Sequence, residues 1–329
     1  MDPALQQAIF QIKDHRTFRD TALKVFYIQA DHNPVYRAYI EGIGVDPDSV
    51  KSIEQIPFLP IEFFKTQEVI LEGKKPELVF ESSGTTASSP SRHLVADAAM
   101  YRKSFTKGFQ QFYGPPEQLC FLALLPSYLE RKGSSLVYMM DHLINLSAHP
   151  ESGFYLDNLK ELTQVLEKRA DDKVPTLLLG VSFALLDLAE NKPLSLPESI
   201  MVMETGGMKG RRKELVRSEL HQILASAMGI KAVHSEYGMT ELLSQGYSQG
   251  KGIFRAPPWM KVLVRDPNDP LTLIRTGQSG GLNIIDLANL YSCSFLATGD
   301  LGRCHEDGGF EVLGRFDHSD IRGCNLMIS

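Results

Sequence analysis

Glu81-Ser82-Ser83-Gly84-Thr85-Thr86-Ala87-Ser88-Ser89-Pro90-Ser91-Arg92 follows a short apolar run, Glu77 to Phe80, that reads as the end of a strand. Four hydroxyls and one glycine fall within Ser82 to Thr86. Gly84 lets the backbone approach a ligand without a Cβ in the way. Hydroxyls and exposed N–H groups in such a turn can wrap phosphate oxygens, and Arg92 supplies a nearby cation. The Gly-x-x-x-x-Gly-Lys-Ser/Thr spacing of a Walker loop is missing, so that class of phosphate site is excluded. A plain solvated Ser/Thr/Gly loop has the same composition.

The chain around this loop has 329 residues, 43% of them hydrophobic, which suffices for a large core. Its net charge is −6 and it has no long basic run, so nucleic acid is not an expected partner. The longest apolar stretch, Thr176 to Leu186, is too short for a membrane span, and the N-terminus lacks the basic start and apolar core of a signal sequence. Cys120, Cys293, Cys304 and Cys324 show neither Cys-x-x-Cys nor zinc spacing. A reduced, cytoplasmic protein with free thiols is expected.

Helical spacing predicts two amphipathic helices over residues 4–30 and a short one after Asn33-Pro34. Ile56 to Lys65, with Pro57 and Pro60, reads as a packed connector or a wall of an acyl pocket. Helices are predicted over residues 97–112, 134–146, 155–170, 182–190 and 213–228, and strands over residues 120–125, 176–179, 199–203 and 232–234. Strands alternating with helices predict an α/β domain with a mostly parallel sheet. Beyond Lys251 the pattern changes to short strands, residues 259–265, 271–276 and 281–286, split by Gly/Pro/Asn turns. The expected division is an α/β core over residues 1–250 and a small β lobe with a hinge-like tail over residues 251–329.

Tyr237-Gly238-Met239-Thr240-Glu241 follows a predicted strand. Tyr237 can stack on a base, Thr240 can bond a phosphate, and Glu241 is a hard oxygen ligand suited to Mg²⁺. A turn with a capping threonine has the same letters. Thr298-Gly299-Asp300 is expected in a turn, where the carboxylate of Asp300 can accept from two ribose hydroxyls or serve the turn itself. Gly314-Arg315-Phe316-Asp317 opens a charged, glycine-bounded segment near the end. His234, His305 and His318 lack metal-ligand spacing, and there is no Gly-x-Ser-x-Gly elbow.

Taken in order, Ser82-Ser83-Gly84-Thr85-Thr86, Gly206-Gly207, Tyr237 to Glu241, Thr298 to Asp300 and Gly314 to Asp317 resemble the adenylate-forming superfamily of acyl-CoA synthetases, peptide-synthetase adenylation domains and luciferases. Ile56 to Lys65, Ser82 to Arg92 and the ending Arg322 to Met327 are similar to the acyl-protein synthetase (LuxE-type) family. The resemblance implies the large N-terminal part of an adenylating enzyme, mostly parallel sheets flanked by helices plus a small β lobe, without the mobile C-terminal domain. It implies activation of a fatty or other carboxylic acid by ATP and Mg²⁺, transfer of the acyl group to a cysteine, and delivery to a partner acyl reductase (LuxC-type). By the same resemblance Ser82, Ser83, Gly84, Thr85 and Thr86 would hold phosphates, and Gly206 and Gly207 would line the adenine site with Tyr237 stacked on the ring. Thr240 and Glu241 would serve the α-phosphate and Mg²⁺, Asp300 and Arg315 the ribose, and Cys324 would carry the acyl group.

Two departures stand out. Ala87 replaces the glycine that usually follows the two threonines, and Ser91 rather than lysine follows Pro90, leaving Arg92 as the nearest cation. The resemblance implies that the mobile domain's catalytic lysine is missing, so Arg92 or a cation from Lys209 to Arg212 is expected to help neutralise the α-phosphate. Two other readings stay open: an adenylating ligase that delivers to CoA or a carrier protein, and a nucleotide-binding subunit without catalysis. Among the thiols, Cys120 is expected to be buried and inert. Cys324 sits in a tail beside Gly323, with Arg322 favouring the thiolate, while Cys293 and Cys304 remain candidates.

Overall fold

The computed structural model describes residues 3–82, 89–126, 133–156, 158–191, 194–206 and 215–316. They form two compact units. The first comprises residues up to Met100, Glu241–Leu243 and the chain from Arg255; the second comprises Tyr101–Thr240 and Ser244–Phe254. This differs from the expected contiguous division after residue 250. The N-terminal hundred residues pack with the C-terminal strands, a long-range pairing that local periodicity does not encode.

The first unit begins with helices Pro3–Ile9, His15–His32 and Pro34–Gly42, where helical spacing puts them. Asp14 starts the second helix with a capping box, accepting from the Thr17 backbone at 2.8 Å. Asn33 ends that helix and caps the next, its Oδ1 accepting from Val35 and Tyr36 at 3.1 Å each, with Pro34 at the first helical position. The buried face carries Phe18, Ala22, Val25 and Phe26. Phe26 and Tyr36 both lie 6.0 Å from the ring of Phe295. Each of these fully buried rings stabilises the unit by roughly 2–3 kcal/mol. Gln29, buried in the same face, donates to the carbonyls of Asn289 and Leu290 at 3.0 Å and accepts from Ser294 N–H at 2.9 Å. One side chain thus fixes the helix against the turn that precedes the strand Phe295–Cys304.

That strand belongs to an antiparallel sheet with Met260–Arg265, Ser279–Asp286 and Phe310–Arg315. The proline-rich connector adds a two-residue parallel pairing, Leu59 to Leu296 and Pro60 to Ala297. Residues 271–276, expected as a strand, contribute only a bridge between Leu273 and Arg265. Asp266 and Asp269 take up the amides of Asn268, Asp269 and Leu271 and leave Leu271 exposed, so side-chain acceptors displace the ladder. The Ser/Thr loop springs from a hairpin of Leu78–Glu81 with Arg92–Val95. Ser82 and Ser91 continue the stem, Ser82 N–H donating to Ser91 O at 3.0 Å and Ser91 N–H to Ser82 Oγ at 2.8 Å.

The second unit holds the parallel sheet. Gly153–Phe154, Cys120–Leu124, Thr176–Val181, Ile200–Thr205 and His234–Tyr237 pair in that spatial order, and Gly246–Ser248 adds an antiparallel edge. Cys120–Leu124 and Thr176–Val181 are buried along their whole length, which is why they read as continuous apolar runs. The strand from Thr176 runs two residues beyond the predicted end, through Gly180. A Cβ at Gly180 would lie 2.9 Å from Leu185, so glycine here permits close helix packing rather than ending the strand. The last parallel strand is displaced from residues 232–234 to His234–Tyr237, and the helix expected from residue 155 spans Leu159–Asp172. Among the described residues no helix is long and apolar enough to cross a membrane.

Candidate active site

In the first unit the site is built on two neighbouring strands. Thr298-Gly299-Asp300 is not in a turn; it lies inside the strand Phe295–Cys304, and Asp300 pairs directly with Arg315 across the ladder. Gly and Asp are turn formers by local preference, and here the long-range ladder overrides that preference. Register brings Arg315 Nε to 3.4 Å from Asp300 Oδ1. Asp300 is 6% exposed, while the Arg315 side chain is 84% exposed. The backbone below is fixed by hydrogen bonds: Asp300 N–H donates to Thr298 Oγ1 at 3.1 Å, and Thr298 Oγ1 donates to Leu282 O at 2.9 Å. Arg265, buried and unforeseen from the sequence, donates to Leu282 O at 2.8 Å, Asn283 Oδ1 at 2.9 Å and Thr298 O at 2.6 Å. A Cβ at Gly281 would meet the Arg265 guanidinium at 2.5 Å, so the Gly280-Gly281 pair was the available signal for it.

Glu241 falls in the same unit. Asn289 Nδ2 donates to its carbonyl at 2.6 Å, and Leu243 N–H donates to Asp286 Oδ2 at 2.7 Å, which seats the 241–243 segment on residues 286–289. Glu241 is 5% exposed. Burial pushes its pKa up, hydrogen bonding to Ser91 and the charge of Arg315 oppose the rise, and Asp300 adds to it. Glu241, Ser91, Asp300 and Arg315 therefore share one electrostatic neighbourhood. Arg92 stands on the hairpin stem, half-exposed, 3.9 Å from Glu81, a surface pairing of little energetic weight.

In the second unit the sequence-marked residues sit at the carboxyl ends of adjacent parallel strands, where open α/β sheets bind ligands. Gly206 ends Ile200–Thr205 with φ +67°, and its carbonyl accepts from Ser182 Oγ at 2.6 Å. Tyr237 is buried, its ring edge-on to Phe254 at 5.9 Å, and the Arg217 guanidinium lies 4.9 Å from that Phe254 ring. Thr240 follows, half-buried. Beside these lies a polar cluster that pattern reading did not single out. Glu236 accepts from Thr205 Oγ1, and Glu204 meets Arg217 Nε at 3.1 Å and His221 Nε2 at 3.5 Å. Burial works to raise the Glu204 carboxyl, but His221, Arg217 and Ser235 outweigh it and hold it below its ordinary value. The legible signal was two glutamates inside otherwise buried strands.

The sequence profile of the acyl-protein synthetase family, LuxE, matches residues 9–329. The chain belongs to that family. As a member it is an acyl-protein synthetase, a ligase. It is 22% identical over 321 residues to the long-chain-fatty-acid–luciferin-component ligase of Vibrio harveyi, covering 91% of this chain and 83% of that protein. Its fold is that of the adenylate-forming ligases. The solved structure of 2-hydroxyisobutyryl-CoA ligase, in an open conformation with 2-HIB-AMP and CoA, matches with a TM-score of 0.65 at 16% identity, over 91% of this chain and 70% of that one. ATP-bound MatB from Rhodopseudomonas palustris matches at 0.56 and 17% identity, over 86% of this chain and 58% of MatB. O-succinylbenzoate CoA synthetase of Bacillus subtilis, with ATP and a magnesium ion, matches at 0.51 and 19% identity, over 72% and 49%.

Within this LuxE-family chain, Ser83, Gly84, Thr85, Thr86, Gly207, Lys209 to Arg212, His318 and Cys324 lie outside the described residues. The other three thiols are described and free. Cys120 is buried in its strand and its thiol is pushed up by burial. Cys293 is fully buried, its thiol raised to about 12 by burial, and Sγ faces Phe295 O at 3.4 Å. Cys304 is half-buried and raised to about 11 by burial, with Sγ 3.5 Å from Val262 O. None of these three environments favours a thiolate.

Proposed function

We propose that this protein joins a fatty or other carboxylic acid to the α-phosphate of ATP and then takes the acyl group onto Cys324, for delivery to a partner acyl reductase of the LuxC type. The observation that carries the reading is the convergence of Glu241, Asp300, Arg315 and Ser91 in the first unit. Two buried carboxyls beside one exposed guanidinium are a donor set suited to a nucleotide that brings its own cation. In the first step the substrate carboxylate oxygen bonds to the α-phosphorus and the bond to the pyrophosphate oxygen breaks. In the second, a thiolate bonds to the acyl carbon and AMP leaves.

Each residue has a task in that scheme. Asp300 accepts from the ribose hydroxyls, and Arg315, tethered to it and largely exposed, adds a donor to the same sugar. Glu241 offers a hard oxygen ligand to the Mg²⁺ that accompanies ATP, and Thr240 a hydroxyl to the α-phosphate. Ser82, Ser83, Gly84, Thr85 and Thr86 hold the outer phosphates, with Arg92 as the nearest cation of that loop. Gly206, Gly207 and Tyr237 form the adenine contact. A carboxylate bridging two hydroxyls makes charge-assisted bonds worth roughly 1.5–3 kcal/mol each. Losing even one of the two bonds corresponds to about ten- to a hundredfold, so Asp300→Ala is expected to weaken ATP binding by at least that much; unchanged affinity by calorimetry would remove the ribose role.

The deciding experiment is acid-dependent exchange of labelled pyrophosphate into ATP across carboxylic acids of increasing chain length. Exchange with at least one acid is expected, and silence across the panel rejects adenylation. The match to a CoA ligase with bound CoA favours a second acceptor, CoA or a carrier protein. Acyl label that survives on the denatured protein supports the cysteine; label found only on added CoA supports the alternative.

A further inference from the structure

We propose that Glu236 is a positioning residue for the nucleotide, its carboxyl linking Thr205, the residue before Gly206, to Gly238, the residue after Tyr237. The proposal rests on the nucleotide reading of Gly206 and Tyr237 given above. Thr205 and Glu236 are register partners on neighbouring parallel strands, so their side chains leave the sheet on the same face. Each stands at or one residue before its strand's carboxyl end. One oxygen of the carboxyl, Oε2, accepts from Thr205 Oγ1. The other, Oε1, fills the space over Gly238: a Cβ built there would lie 2.5 Å from it. The side chain thus touches the residue before Gly206 on one side and the residue after Tyr237 on the other. Glycine at 238 is what gives the carboxyl its room.

The surroundings make this clamp sensitive to protonation. Glu236 is buried, and among the described residues its hydrogen-bond partner is Thr205, with no cation paired to it. Glu204 pairs in register with Ser235 and so leaves the opposite face of the sheet, its charge held by Arg217 and His221 of the helix Arg217–Met228, and it acts on Glu236 through its charge alone. The phenols of Tyr113 and Tyr247 feel its charge, and His234 on its own strand meets Tyr113 Oη at 3.2 Å. Burial raises the carboxyl to about 7, the Glu204 charge adding to the rise and the Thr205 bond opposing it. The sign follows directly. A folded-state value above the ordinary 4.5 means that the fold prefers the protonated acid, so stability falls as pH rises from about 4.5 to about 7 and levels off beyond. A glutamine would avoid that cost while still accepting from Thr205. A purely structural role gives no reason to keep an ionisable group there.

The protonated acid is the form that spans Thr205 and Gly238, because burial disfavours a charge there and, among the described residues, no cation is paired with it. Nucleotide affinity is expected to fall as pH rises through about 7. Adenosine is the probe, since it has no phosphate to titrate in this range, and calorimetry from pH 6 to 8.5 gives the profile. Wild type should lose affinity over that span, toward tenfold per pH unit above the inflection. Glu236→Gln should bind well and evenly throughout, and should melt above wild type at pH 8 with the gap closing toward pH 5. Glu236→Ala, which loses the clamp, should bind poorly at every pH. A flat wild-type profile, an inflection retained in Glu236→Gln, normal binding by Glu236→Ala, or a Glu236→Gln variant melting below wild type at pH 8 would each overturn the proposal. If wild type binds ATP with a flat adenosine profile, only the Glu236 role fails; if it binds neither nucleotide, the reading of the site fails with it.

Discussion

Glu241→Gln is expected to lower acid-dependent pyrophosphate exchange by about a hundredfold or more while leaving the fold intact. Removing one preorganised oxyanion-hole donor typically costs about 2.7–4 kcal/mol of transition-state stabilisation, and a ligand to the cation on the reacting phosphates is expected to matter at least as much. The glutamine oxygen keeps the shape and can still accept a hydrogen bond, but it carries no charge for a divalent cation. Folding should survive for reasons visible around the residue. The bond from Asn289 goes to the backbone carbonyl, and the seat of Leu243 on Asp286 does not involve the side chain. Burial already disfavours the Glu241 charge, so a neutral amide is no worse a tenant of that space. The measurement is exchange at saturating acid and ATP, with a melting curve alongside. Exchange near the wild-type rate would move the Mg²⁺ ligand elsewhere.

Cys324→Ser is expected to separate the two half-reactions. Exchange should continue, because adenylation needs no thiol, and acyl label stable to denaturation but released by neutral hydroxylamine should disappear. The case for Cys324 is chemical and partly one of exclusion. An attacking sulfur must be a thiolate near neutral pH. Cys293 and Cys304 are held at about 12 and about 11 by burial, and Cys120 is raised in the same direction inside its strand. Arg322 and Gly323 beside Cys324 suit a reactive thiol that must visit two sites. Label that persists in the variant, or that maps to Cys304, would overturn the assignment.

Much of the architecture was legible because it is local. The amphipathic spacing of Phe18, Ala22, Val25 and Phe26, the Asn33-Pro34 cap and the apolar runs at Cys120 and Thr176 each state their own secondary structure. The errors share one cause. Asp300 and Gly299 look like turn residues and sit in a strand, because Arg315, fifteen positions on, supplies the ladder partner. Residues 271–276 alternate like a strand and form only a bridge, because Asp269 takes the amides of Leu271 and Thr272 into a turn and leaves Ile274 N–H to reach Val264 O. Gly180 looks like a stop and is a contact, because Leu185 packs over it.

By itself the sequence determined the class of fold, the order of the nucleotide-type motifs and the candidate residues Glu241, Asp300, Arg315, Tyr237 and Cys324. Motif order along a chain is a one-dimensional property, and it survives at identities too low for anything else. Tertiary structure alone decided which groups share an environment. It put residues 1–100 with the strands after Arg255, set Asp300 against Arg315 by register, and slid Arg265 beneath Thr298. It also made Glu236 a buried acid whose hydrogen-bond partner among the described residues is the Thr205 hydroxyl. Burial and proximity depend on residues far apart in the chain, and so do the pKa shifts they cause. No local pattern of letters carries them.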